Sequence, residues 1–255
     1  LTGREMRSTL GEDGTLTLSL EDVKIGDPGD DEVIVRVEAA PINPSDLGLL
    51  LGPADISTLR VSAKAGRPAL TFTVPQDGLA AARARLGQSL AVGNEGAGTV
   101  IAAGSNAGAL EGKRAAVLGG AMFADYRKIR ARDLVVLPPG ASAADGASMF
   151  VNPLTALGFV ETARSEGHTA IIHTAAASNL GQMLVRICLA DGMPLINIVR
   201  SAEQVELLQL DAKSIRVSEY LTELPPLPLL RERLHQAIEH ARESAARRVK
   251  DEDLP

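Results

Sequence analysis

The feature that most constrains the fold lies between residues 169 and 217, where three short apolar runs alternate with two helical ones. Residues 169–173 read as a strand, 181–190 as a helix, 194–199 as a second strand, 202–210 as a second helix, and 214–217 as a third strand. Parallel strands need a crossover between them, and a helix supplies it, so a β-α-β-α-β order folds as a right-handed parallel sheet. The predicted class for this part of the chain is α/β.

Upstream the period changes. In residues 32–38, Val33, Val35 and Val37 alternate with Ile34, Arg36 and Glu38, the signature of a half-buried strand. Short apolar runs at 98–102 and 115–118 sit among glycines 93, 96, 98, 104, 108, 112, 119 and 120, which predicts a small barrel or sandwich. Residues 143–164 are Ala-rich at helical spacing, interrupted at Asn152-Pro153. The expected division is therefore a β domain over 1–140, the parallel unit over 141–224, and a charged helical tail over 225–255. In that tail Leu230, Leu234, Ala237, Ile238 and Ala241 make an apolar stripe along residues 229–249.

Charge and composition narrow the function classes. Twenty-six Lys plus Arg against 32 Asp plus Glu give a net charge of −6, which argues against a nucleic-acid partner. The lone Cys188 excludes an internal disulfide framework and a thiolate cluster around zinc. No run approaches the roughly 20 apolar residues of a membrane span, so an intrinsic membrane protein is not expected. The sequence opens on Leu1, with its first methionine at Met6. The expected compartment is cytoplasmic, or the mitochondrial matrix if a transit peptide preceded Leu1.

The stretch that carries chemistry is Ile171-Ile172-His173-Thr174-Ala175-Ala176-Ala177-Ser178-Asn179-Leu180-Gly181. It ends a strand and opens a helix, where a dinucleotide-binding turn brings backbone N–H groups up to a pyrophosphate. Against the Gly-x-Gly-x-x-Gly template the positions are Ala176, Ser178 and Gly181, a partial match that an ordinary strand-to-helix turn also satisfies. About 20 residues beyond the turn, where NAD enzymes place an acidic residue on the ribose, the second strand ends in Val199-Arg200-Ser201. Arg200 can pair with a 2′-phosphate, with Ser201 assisting, which points to NADP. A solvated arginine at a strand end is the other reading, and the residues alone leave both open. His173 and Cys188 read as structural core residues, and His235 and His240 as solvent-facing.

Four segments share order and spacing with a known family. They are Ala39-Ala40-Pro41-Ile42-Asn43-Pro44-Ser45-Asp46, Val92-Gly93-Asn94-Glu95-Gly96-Ala97-Gly98, Val151-Asn152-Pro153-Leu154-Thr155-Ala156 and Ile196-Asn197-Ile198-Val199-Arg200. Together they resemble the medium-chain dehydrogenase/reductase superfamily, and most closely its zinc-free branch of quinone oxidoreductases and 2-enoyl thioester reductases. The resemblance runs from Met6 to Ser218. It implies a GroES-like β domain followed by an incomplete Rossmann domain, NADPH as cofactor, and reduction of an activated carbon–carbon double bond or a quinone. Ala176, Ser178, Asn179, Leu180 and Gly181 would line the diphosphate, Arg200 and Ser201 would hold the 2′-phosphate, and Thr155 would lie near the nicotinamide. Zinc-dependent relatives carry a cysteine and then a histidine where this chain has Asn43 and Asn94, so no catalytic metal is expected. The two amides would instead face the substrate and hydrogen-bond a carbonyl or enolate oxygen.

Two departures from the family pattern bear on activity. Enoyl thioester reductases carry a proton-donating tyrosine shortly after Asn-Pro-Ser-Asp, and here Ala54 stands near that position. The family also continues through a second mononucleotide half after the third strand, whereas here one helical segment follows. An open sheet edge is therefore expected to be covered by the 229–249 helix, by a homo-oligomeric contact or by a partner chain. The alternative to an enzyme acting on a small-molecule quinone or enoyl substrate is a catalytically silent structural subunit of a larger assembly.

Overall fold

The structure, a computed structural model, describes residues 1–208 and the backbone of 215–219. The tail helix expected over 229–249 lies outside the described residues. The chain divides into two compact units, the first spanning Leu1–Val151 and the second starting at Asn152.

Alternating strands build the first unit into two five-stranded antiparallel sheets. A hairpin of β1 (Thr2–Leu10) and β2 (Thr15–Lys24) places Leu10 opposite Leu16, both fully buried. After β3 (Glu32–Ala39) comes a short helix, α1 (Pro44–Leu50). Then follow β4 (Asp55–Lys64), β5 (Arg67–Thr73), a second short helix α2 (Gln76–Ala81), and β6 (Ser89–Ala91). The first sheet has the order β4-β5-β2-β1-β6. β7 (Glu95–Ala103), β8 (Arg114–Leu118), β9 (Tyr126–Arg130) and β10 (Leu134–Val136) join β3 in the second, ordered β10-β8-β7-β3-β9. Val33 and Val35 enter a core with Val100, Val117 and Met122. The strict alternation expected of β3 holds only past Val35, because Ile34 on the other face is also buried at 3% exposure. An interior strand flanked by β7 and β9 is shielded along both sides as well as across a face.

The boundary expected after residue 140 falls instead after Val151. The cause is α3 (Ala143–Ala147), whose Ala143 and Ala147 pack on Ala97 and Ala116 of the second sheet, where small side chains allow close approach. Ser142 opens this helix in a capping box with Asp145, the backbone N–H of each residue bonded to the other's side chain at 2.8 and 3.1 Å. The next helix, α4 (Val151–Ser165), contains Asn152-Pro153 in its first turn. Proline is harmless there because its missing N–H would be unpaired anyway, so the predicted interruption is a helix start, and the break lies at residues 148–150.

The second unit has the predicted order: β11 (Ile171–His173), α5 (Asn179–Asp191), β12 (Leu195–Val199), α6 (Ala202–Leu208) and β13 (Ile215–Glu219). The strands pair in parallel as β11-β12-β13, with His173 opposite Asn197 and Val199 opposite Glu219. Leu184, Val185 and Cys188 on one face of α5 pack with Ala156 and Val160 of α4 and with Leu195 and Val199 of β12. Parallel strands place all their C-terminal ends on one edge, so the loops at 174–178 and 200–201 emerge side by side. Among the described residues no helix is long and apolar enough to cross a membrane.

Candidate functional site

The turn between β11 and α5 is shaped by two residues. Ser178 caps the helix: its Oγ accepts the Gly181 N–H at 3.1 Å and donates to the Ala175 carbonyl at 2.7 Å. Gly181 is required by packing, since a Cβ there would strike the Ala176 carbonyl and come within 2.7 Å of the Ala175 oxygen. Ala176 turns its methyl group into the core, so it contributes backbone to the turn rather than a lining side chain. Asn179 is exposed at the first position of the helix, and Leu180 is half-buried. The result is a tight, backbone-lined turn facing the positive end of a 13-residue helix.

On the neighbouring strand, Arg200 is exposed just beyond β12. Its backbone N–H donates to Gln204 Oε1 at 2.8 Å, and the Gln204 N–H reaches Ser201 Oγ at 3.4 Å, which anchors the backbone and leaves the guanidinium directed outward. Ser201 thus caps α6 as well as standing beside Arg200. Beneath these loops, Asn197 is fully buried, and neither its amide nitrogen nor its oxygen has a partner among the described residues. The same holds for His173 Nδ1, whose ring lies 6.3 Å from that of Phe159 and is pushed to lower pKa by burial. A pocket of about 600 Å³ opens beside this strand, lined by Thr155 and Phe159 of α4 together with Ile171 and His173.

The two asparagines at the family's metal-ligand positions lie in the first unit and differ in exposure. Asn43, before α1, is only 3% exposed, and its Nδ2 donates to Glu95 Oε1 at 2.9 Å. One N–H of that amide is therefore held by a buried carboxylate inside the first unit. Asn94 is half-buried. Its Nδ2 donates to Ser45 Oγ at 2.9 Å and its N–H to Asp46 Oδ1 at 2.8 Å. The other Asp46 oxygen accepts the Asn43 N–H at 2.7 Å, so this one buried carboxylate joins the two asparagine loops. Gly93, at φ 97°, makes the bend before Asn94, and a Cβ there would come within 2.7 Å of the Phe123 nitrogen.

Glu95 is the residue that sequence reasoning undervalued. It is 0% exposed, and besides Asn43 it accepts the backbone N–H groups of Phe150 at 2.8 Å and Val151 at 3.0 Å. The available signal was a carboxylate set among glycines at the start of an apolar strand, Glu95-Gly96-Ala97-Gly98. Among the described residues no group of three or more His, Cys, Asp or Glu side chains could hold a metal ion.

No family model matches the chain. It is 30% identical over 212 residues to a mitochondrial enoyl-[acyl-carrier-protein] reductase of Xenopus tropicalis, covering 81% of this chain and 52% of that one. A Caenorhabditis elegans protein of the same name is 27% identical over 214 residues, covering 81% and 53%. The chain thus spans about half the length of the curated relatives it matches. Among solved structures, a putative NADPH:quinone reductase from Bacillus thuringiensis superposes with a TM-score of 0.65 at 26% identity, covering 92% of this chain and 63% of that one. Escherichia coli quinone oxidoreductase complexed with NADPH shares the fold, with a TM-score of 0.60 at 21% identity over 94% of this chain and 63% of that one. With its antiparallel β unit and its parallel β-α-β-α-β unit, the chain is similar to mitochondrial enoyl reductases in sequence and to NADPH:quinone reductases in fold, homologues that fall in the zinc-free branch of the medium-chain dehydrogenase/reductase superfamily.

Proposed function

We propose that the chain is an NADPH-dependent, zinc-independent oxidoreductase that reduces an activated carbon–carbon double bond or a quinone. The observation that carries this reading is the β11–α5 turn, where packing allows only glycine at 181 and the Ser178 hydroxyl caps the helix N-terminus. Such a cradle fits a diphosphate, with Ser178, Asn179 and Leu180 around it. Arg200, anchored through its backbone and unpaired by any acidic side chain among the described residues, fits a 2′-phosphate. When bound, NADPH would supply the hydride. Thr155 would border the nicotinamide in the pocket it shares with His173. Asn94, held by Asp46 and Ser45, would orient the substrate, with Asn43 behind it.

Arg200→Ala tests the cofactor assignment. It should weaken NADPH by roughly 1.5–3 kcal/mol, about 10- to 150-fold, and leave NADH almost unchanged, because only NADPH carries the 2′-phosphate. Equal loss for both in a fluorescence titration, or binding of neither by the unsubstituted chain, would overturn the assignment.

One observation favours the silent-subunit reading. Ala54, near the position of the missing tyrosine, packs beside Leu51 and Leu79 against the core around Leu10 and Phe72, and offers no proton. Turnover of a quinone or an enoyl thioester by the isolated chain decides between the two. We also infer that a second copy or a partner chain covers the edge of β11, which pairs only with β12 among the described strands; sedimentation of the isolated chain as a monomer at all concentrations would exclude the homo-oligomer.

A further inference from the structure

We propose that Arg85 is a positioning residue: with Ser8 it anchors the C-terminal end of α1, and so fixes the Asn94 loop that the N-terminal end of the same helix holds. Every residue involved lies in the first unit. The proposal rests on the oxidoreductase reading for its functional half and on hydrogen-bond geometry for its structural half. A seven-residue helix has little stability of its own, and α1 buries only Asp46 and Leu50, so polar contacts must hold its ends. At the N-terminal end, Asp46 accepts the Asn94 N–H at 2.8 Å and Ser45 Oγ accepts Asn94 Nδ2 at 2.9 Å. At the other end the last carbonyls have no intrahelical donors. The Leu49 carbonyl accepts Arg85 Nη2 at 3.0 Å, and the Leu50 carbonyl accepts Ser8 Oγ at 2.8 Å. Arg85 Nη2 also donates to Ser8 Oγ at 3.1 Å, and Ser8 is fully buried in β1, so the anchor point belongs to the first sheet. The chain is shaped around the guanidinium: Gly52, at φ 52°, turns past it, and a Cβ there would stand 3.0 Å from Arg85 Nη1. Burial lowers the guanidinium pKa and no acidic neighbour offsets this among the described residues. The charge that Arg85 meets is instead the negative end of α1. Two turns of helix, about 10 Å long, join the two sets of contacts, so loss of the Arg85 contact tilts α1 and displaces Asn94.

The test compares Arg85→Met, Arg85→Lys and Ser8→Ala in the full chain. Hydrogen exchange of the Leu51 amide, which donates to the Leu47 carbonyl at the end of α1, should rise about tenfold in Arg85→Met. The rise should be smaller in Arg85→Lys, which restores a cation at the helix end. Exchange of the Asn94 amide should rise in parallel, about three- to tenfold, whereas a purely local cap would leave it unchanged. In NADPH-dependent reduction of a quinone, kcat/KM for the quinone should fall about 5- to 50-fold in Arg85→Met, with the dissociation constant for NADPH within about twofold, since the nucleotide turn is untouched. Ser8→Ala, the stand-in if Arg85→Met does not fold, removes the Leu50 contact and should raise both exchange rates by a smaller factor. Unchanged Leu51 exchange in Arg85→Met, or in Ser8→Ala where that must stand in, overturns the anchor while leaving the oxidoreductase reading intact. Raised exchange at Leu51 with unchanged exchange at Asn94 overturns the positioning of the loop. Raised exchange at both with unchanged kcat/KM for the quinone overturns the functional half. Failure of the unsubstituted chain to bind NADPH overturns the oxidoreductase reading and the functional half with it, and the exchange data still decide the anchor.

Discussion

Two residues near the β11–α5 turn, the buried Cys188 and the half-buried His173, behave in opposite chemical senses. Cys188 is almost fully buried on α5, and burial, with Asp191 nearby, pushes its thiol up to about 11. It should therefore not react with a thiol-specific disulfide reagent in the native protein at pH 8 and should react promptly after denaturation; rapid native labelling would show the packing of α5 to be wrong. His173 is shifted the other way, since burial disfavours its charged form and lowers its pKa. A base whose folded pKa lies below its unfolded value contributes stability that is fully present above about pH 6.5 and is lost as pH falls further, because the unfolded chain takes up the proton first. The melting temperature should accordingly decline between pH 7 and 5.5, and His173→Gln should flatten that part of the profile. The Phe159 ring lies beside the His173 ring and Asn197 stands opposite His173 on β12, and neither side chain carries a compensating negative charge.

At the scale of elements, the hairpin β4–β5 carries local strain that can be relieved. Lys64 pairs with Arg67 across a two-residue turn in which Ala65 and Gly66 have φ of 51° and 77°. Positive φ at both positions is the type I′ geometry that suits the twist of a hairpin, and it favours Asn-Gly. Ala65→Asn should therefore stabilise the protein by about 0.5–1 kcal/mol, measured by thermal or urea unfolding; a destabilisation would mean the turn is of another type. The same hairpin shows why some strands were hard to read. Between Asp55 and Arg60 its register slips, and the Asp55 side chain folds the chain back by accepting the Ser57 N–H at 2.9 Å. A bulged, exposed edge strand has no period-two apolar pattern to detect.

For the whole molecule, stability should be independent of divalent metal. The loops at Asn43 and Asn94 are joined by Asp46, and the start of α4 is joined to β7 by Glu95, so hydrogen bonds take the cross-linking role that a metal could play. Exhaustive chelation should leave the unfolding curve superimposable on that of untreated protein, and a lowered midpoint restored by zinc would contradict this. The sequence alone was enough for the β-α-β-α-β order, for the tight β11–α5 turn with Gly181, and for Arg200 at the end of β12. Each of these depends on periodicity or on neighbours within a few residues, which is local information. What only the tertiary structure decided was the burial of Asn43, the grip of Asp46, and the burial and hydrogen-bond partners of Glu95. Their hydrogen bonds join residues 52, 48 and 55 positions apart in the chain. The boundary at Val151 is of the same kind, set by alanines of α3 meeting Ala97 and Ala116 across the second sheet. A polar side chain has no period to reveal its partner, and a buried one acquires its function only when folding brings the partner to it.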